Sequence, residues 1–131
     1  MTRLVVLVGL GVLLVASGYA QQNPPLFTGK STVMDGKELS VARRGFEPGA
    51  RTYWHSHDNG QLLLVEDGRM RTQKKGGPVK ELGKGESDYT GATVVHWHGA
   101  VPAQALIQIN VGFGGETRWL ERVTDAEYAG K

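Results

Sequence analysis

A chain of 131 residues has room for one domain and not comfortably for two. Its 15 basic and 13 acidic residues nearly cancel, which removes any charge-based case for nucleic acid or a membrane surface as a partner. Cysteine is absent, so disulfides, thiolate metal sites and cysteine nucleophiles are excluded, and a metal site has to be built from nitrogen and oxygen ligands.

Residues 1–20 read as a secretory signal peptide. Arg3 supplies a basic start, residues 4–16 are uncharged and apolar, and Gly18 and Ala20 stand at the −3 and −1 positions of a cut after Ala20. A membrane anchor would need about 20 apolar residues, and this run is shorter. The expectation is an exported protein, periplasmic or secreted from a bacterium, that begins near Gln21 and has no membrane attachment once the leader is removed. Residues 21–29, with Pro24 and Pro25, read as an extended lead-in. The remainder, 30–131, is expected to be one domain.

From residue 30 to about 118 the pattern is short strands broken by turn signals, among them Asp35-Gly36, Asp58-Asn59-Gly60, Asp67-Gly68, Gly76-Gly77-Pro78 and Gly83-Lys84-Gly85. The 19 glycines follow no period, which rules out collagen and suits tight turns. A turn about every ten residues is the spacing of an all-β sandwich or barrel. One short helix is predicted at the C-terminus, where Thr124 can cap and Glu127 can reach back as a capping box.

All four histidines occur as two His-x-His pairs, His55 with His57 and His96 with His98. If residues 52–57 form a strand, alternation puts Tyr53, His55 and His57 on one face and Trp54 and Ser56 on the other. The turn at Asp58-Asn59-Gly60 then predicts a hairpin that returns Gln61, with Leu63 and Val65 on its face, over His57. Two imidazoles and an amide oxygen would converge on one point, as metal ligands must. A fourth ligand has to come from His96 or His98. Tyr53 reads as wall, and Trp54, Trp97 and Trp119 as outer packing or interface.

The spacing is that of a known motif: Gly49, five residues, His55, one residue, His57, three residues, Gln61, six residues, Gly68. It resembles the first motif of the cupins, with Gln61 where glutamate is usual, and the stretch from Gly85 to His96 is similar to the second. The resemblance is closer to a bacterial subgroup of small single-domain cupins. It is carried by Phe46-Glu47-Pro48-Gly49-Ala50-Arg51-Thr52, by His96-Trp97-His98-Gly99-Ala100 and by Trp119-Leu120-Glu121-Arg122-Val123-Thr124-Asp125. That subgroup includes manganese-dependent hydroxynitrile lyases, which cleave mandelonitrile to benzaldehyde and cyanide. The resemblance implies an antiparallel, jelly-roll-like β-barrel. It implies one divalent transition metal, Mn(II) first and Fe(II) second, on His55, His57, Gln61 and His96. In a lyase of this kind His98, or a hydroxide on the metal, is the expected carrier of the proton.

A ligand set of three imidazoles and one amide is neutral. It leaves the full double positive charge on the ion, which favours an anion at the open positions. Alternation puts Ala42, Arg44 and Phe46 on one strand face and Leu106, Gln108 and Asn110 on another. Ala42, Arg44 and Gln108 are the expected substrate-binding residues. In the lyase-like members a histidine base stands where this chain has Gln108, and position 44 is small and apolar. Three functions are in view: a metal-dependent carbon–carbon lyase on a small organic molecule, an iron or manganese dioxygenase, and an exported module that binds a small anion or metal without turnover. Edge strands of small barrels commonly pair, so a homo-oligomer is expected.

Overall fold

The structure, a computed structural model, describes residues 28–131; the leader, and the lead-in as far as residue 27, lie outside the described residues. Eight strands and one helix follow in order: β1 Ser40–Phe46, β2 His55–His57, β3 Gln61–Lys74, β4 Lys80–Gly83, β5 Ser87–Thr90, β6 His96–Ala100, β7 Leu106–Gly112, β8 Thr117–Trp119 and α1 Asp125–Tyr128. The strand order is β1-β7-β3-β6-β2-β8, with β4 and β5 also paired to β3. Every pairing is antiparallel. The expected all-β, jelly-roll-like cupin fold with a short C-terminal helix is what is observed.

The 14-residue β3 joins the two halves of the curled sheet. Residues 61–68 pair with β7, and Gln61 to Leu64 also pair with β5. Beyond that point Arg69 to Thr72 pair with β4, and Met70 to Lys74 pair with β6. The register shifts between Val65 and Asp67, so Glu66 is the extra residue of a bulge that bends the strand from one half to the other. Gly68 completes the bend at φ +80°, where a Cβ would lie 1.9 Å from the Ala105 carbonyl oxygen, so no other residue fits.

Alternation on these strands separates two packed regions. Inside the barrel, Leu63, Val65, Met70, Ala100 and Leu106 form one core, with Phe46 and Leu82 against it. On the outer side, Trp54, Trp97, Val123 and Tyr128 form a second, with Val79 and Val95. The one-turn α1 is too short to persist alone. It is held by the predicted Thr124–Glu127 capping box and by Tyr128, whose hydroxyl donates to the Ala100 carbonyl at 2.6 Å. The guanidinium groups of Arg51 and Arg71 lie 4.4 and 5.0 Å from the Tyr128 ring centre.

One sequence expectation is corrected. The segment 52–57 is a strand only over His55–His57, and it makes no hairpin with β3. β2 instead pairs with β6 through His55 and His96, and with β8 through residues 55–57. The turn ending at Gly60 therefore carries the chain from one half of the sheet to the other. Gly60 makes this possible at φ +88°, with its Cα side so close to Thr90 that a Cβ would sit 2.6 Å from that carbonyl oxygen. Gln61 still reaches the histidines, from across the barrel and not from an adjacent strand.

Candidate metal centre

β2 and β6 lie side by side and place four imidazoles in one cluster. The ring centres of His55 and His96 are 4.3 Å apart, those of His55 and His57 5.0 Å, and those of His55 and His98 5.3 Å. His55, His96 and His98 are almost wholly buried, as are Gln61 and Gln108. Among the described residues, His55, His96 and His98 form a group whose ligand atoms all lie within 4.8 Å of one another, a group able to hold a divalent metal ion. His57 stands next to it, with its ring centre 5.5 Å from that of His96.

The hydrogen bonds fix which nitrogen each ring offers; the tautomers follow from these partners. His55 Nδ1 donates to the Tyr53 carbonyl at 2.9 Å, and His96 Nδ1 to the Val94 carbonyl at 3.1 Å. In both cases the acceptor is the residue two positions earlier. Each ring then turns an unprotonated Nε2 inward, the arrangement by which backbone carbonyls orient metal-ligating histidines. His57 Nδ1 is 2.9 Å from Thr117 Oγ1, and its Nε2 is buried without any hydrogen-bond partner.

Burial, and then the charge of neighbouring His96, lower the His55 pKa to about 4. Burial likewise lowers His96 to about 4 and prevails over the opposing Val94 hydrogen bond. It also lowers His57, and holds His98 well below the usual histidine range. At neutral pH the cluster is therefore uncharged and its lone pairs are available.

Two of these lone-pair atoms are in direct contact. His96 Nε2 lies 3.1 Å from Gln61 Oε1, although the only ring proton of His96 is committed to Val94. Two acceptors at that separation suit a shared cation. Ligands at about 2.1 Å from one ion and at right angles to each other are about 3 Å apart. With the orphaned His57 Nε2, this means that the residues present fit a divalent transition metal. No carboxylate enters the cluster.

His98 differs from the other three. Its Nδ1 accepts from Gln108 Nε2 at 3.1 Å, so its proton sits on Nε2. Gln108 Nε2 also donates to Asn110 Oδ1, while Gln108 Oε1 is buried without a partner. In this arrangement His98 is a donor facing its neighbours. Turning the Gln108 amide over would present Oε1 to His98 and move the ring proton to Nδ1.

The cluster opens into a cavity of about 460 Å³. Ala42, Arg44 and Phe46 line it from β1, Asn110 from β7, and His55, His57, Gln61 and His98 from the cluster. Ala42 and Arg44, both exposed to solvent, thus line the cavity opposite Asn110 and Gln108 in the β1–β7 register. Gln108 is fully buried beside His98 and is not part of the cavity lining. Tyr53 is half-exposed and contributes its carbonyl, not its ring. Trp119, expected as outer packing or interface, is 62% exposed and lines the cavity, with its ring centre 4.7 Å from that of His55. Thr117 and Trp119 lie on the three-residue β8, whose short, exposed sequence carries no pattern that would have marked them.

Known proteins share this fold. The family model described as Cupin domain matches residues 42–109. An (R)-mandelonitrile lyase of Granulicella tundricola is 41% identical over 86 residues, which are 63% of this chain and 66% of that protein, slightly under two thirds of its length. A crystal structure of a cupin-like protein from Thermotoga maritima matches at 42% identity with a TM-score of 0.68, over 70% of this chain and 71% of the other. A DMSP lyase from Ruegeria pomeroyi, 14% identical with a TM-score of 0.57 over 63% of this chain and 43% of its own, shares the fold alone. On the family match across the strands that carry the histidines, this chain belongs to the cupin domain family.

Proposed function

We propose that this cupin is a metal-dependent lyase that breaks a carbon–carbon bond in a small organic molecule, as the similar mandelonitrile lyase does by its name. The proposed ligands are His55, His57, Gln61 and His96, with Mn(II) the preferred ion and Fe(II) the second. The observation that carries this reading is the contact of two lone-pair atoms, His96 Nε2 and Gln61 Oε1, at 3.1 Å. When bound, the ion would act as a Lewis acid carrying its full double charge, because every ligand is neutral.

The chain's own residues supply the rest. Burial around His55, His96 and His98 excludes water from the inner end of the cavity. His98 serves the proton. With Gln108 donating, its Nε2–H holds an oxygen or a leaving anion; with the Gln108 amide turned, Nε2 takes a proton from a substrate hydroxyl. Gln108 cannot itself accept that proton, so His98 is the sole titratable group in this role. Trp119 and Phe46 form apolar walls for the substrate body.

The test is mandelonitrile cleavage by manganese-loaded protein against the metal-free form. Release of benzaldehyde above the metal-free rate, lost in His98→Ala, is the expected result; equal rates in both forms would remove the lyase reading. Export and self-association belong to the same proposal. N-terminal sequencing of the protein recovered outside the cytoplasm should begin near Gln21. Light scattering should give a multiple of the chain mass, since β1 is an edge strand with Val41 exposed.

A further inference from the structure

The cavity walls carry an electrical asymmetry that the metal ligands do not account for. Among the residues lining it there is no aspartate or glutamate, and there are two arginines. Arg51 is already committed. Its Nη2 donates to the Val123 carbonyl at 3.1 Å and to Asp125 Oδ1 at 2.6 Å, and its guanidinium packs on Tyr128. Arg44 makes no ion pair or side-chain hydrogen bond among the described residues, while its neighbour Arg43, on the opposite face, holds Glu66 with two hydrogen bonds of 2.5 and 2.6 Å. Both arginines are exposed to solvent, and alternation on β1 separates a paired one on the outer face from an uncompensated one on the cavity face.

The register makes the inward position firm. Arg44 is directly opposite Gln108 on β7, Ala42 opposite Asn110 and Phe46 opposite Leu106, and the side chains of Leu106 and Gln108 are fully buried. Ala42 and Arg44 are themselves exposed to solvent where they line the cavity, and a one-residue slip would turn their buried β7 partners Leu106 and Gln108 outward. With neutral imidazoles, neutral amides and one free guanidinium, the walls are net positive before any metal is present. A guanidinium offers a planar fork of N–H donors that matches a carboxylate better than any neutral group.

We propose that Arg44 is a specificity-determining residue that anchors a carboxylate, so the site prefers a small organic acid over a neutral molecule of the same shape. This deepens the proposed small-molecule site and does not depend on the lyase chemistry. The apolar wall at Phe46 and Trp119 would take the body of the acid, and Arg44 its charged end.

Calorimetric titration with mandelate and with mandelamide tests this, because the pair has one shape and differs in charge. Both are titrated into metal-free and manganese-loaded protein, for the wild type, Arg44→Met and Arg44→Lys. The wild type should bind mandelate at least about fivefold more tightly than mandelamide in the metal-free form, where no ion contributes. Arg44→Met should bring that ratio close to one, Arg44→Lys should restore part of it, and added salt should shrink it. No preference in the wild type, no mandelate binding up to millimolar concentration, or an unchanged ratio in Arg44→Met would each overturn the proposal. Failure of the protein to take up manganese would count against the metal reading alone, since the metal-free comparison decides the role of Arg44.

Discussion

The two faces of β2 and β6 are made of neighbouring residues and do opposite work. Inward, His55, His57, His96 and His98 gather polar groups with few hydrogen bonds to one another. Outward, Trp54 and Trp97 pack with Val123 and Tyr128 into an apolar layer. Every residue of β6 is buried, because both of its faces are covered. The comparison teaches where stability and chemistry are stored. Burying imidazole nitrogens that face one another, each ring bonded only through its other nitrogen, costs free energy. The outer layer offsets that cost one residue away, and so keeps the ligands close together before an ion arrives.

The largest effect expected from this division is on metal content. His96→Ala and Gln61→Ala should each lose stoichiometric metal, a larger effect than the 10–100-fold typical of groups that only orient a ligand. Metal analysis of the purified variants checks it, and full retention of metal in both would show the ion to lie elsewhere.

Trp97→Ala should do the reverse. It removes a fully buried ring and its 2.9 Å hydrogen bond to Gln73, at a cost of about 3–5 kcal/mol. Denaturant unfolding should register this, while the fraction that remains folded should bind metal with unchanged affinity. If Trp97→Ala weakened metal binding as strongly as His96→Ala, the two faces would not be separable.

Acid should act through the inner face. His55 and His96 titrate near 4 when folded and near 6.5 when unfolded, so above 6.5 their contribution to stability is fully present. As pH falls from 6.5, the unfolded chain takes up protons that the folded chain refuses. Stability therefore declines, and the loss is complete below about 4. Metal-free protein should lose on the order of a few kcal/mol over this window. Metal release should follow in the same direction, because protons compete for the ligand lone pairs. A pH-independent unfolding midpoint between 6.5 and 4 would contradict the neutral cluster.

Thr117→Val tests the thinnest connection. It removes the partner of His57 Nδ1 and should weaken metal binding by about 10–100-fold with little change in stability. The smallest effect belongs to the outer layer. Tyr128→Phe removes one buried hydrogen bond to Ala100 and should cost about 1 kcal/mol with no change in metal content.

Much of the site was legible because its parts are local. His-x-His on an extended chain puts both rings on one face whatever the strand pairs with, and that holds for each pair. Alternation put Arg44 on one face with Ala42 and Phe46, and the β1–β7 register decided that this face lines the cavity. The hairpin expectation failed for a physical reason. A turn such as Asp58-Asn59-Gly60 shows that the chain reverses, but not whether the next strand pairs with the last one or crosses to the other half of the sheet. Thr117, Trp119 and the carbonyls of Tyr53 and Val94 were missed because their roles depend on what lies opposite them. A backbone carbonyl has no residue signature at all.

The sequence by itself determined the strand-rich class, the capping box of α1, the ligand types available and the gathering of all four histidines into two pairs. Those are consequences of composition, short-range geometry and period. Only the tertiary structure decided that Gln61 reaches His96 from across the barrel, that Trp119 lines the cavity, and that Arg44 is left uncompensated while Arg51 is not. Each of these depends on contacts between segments separated by tens of residues, and no local propensity encodes which distant group arrives opposite a given side chain.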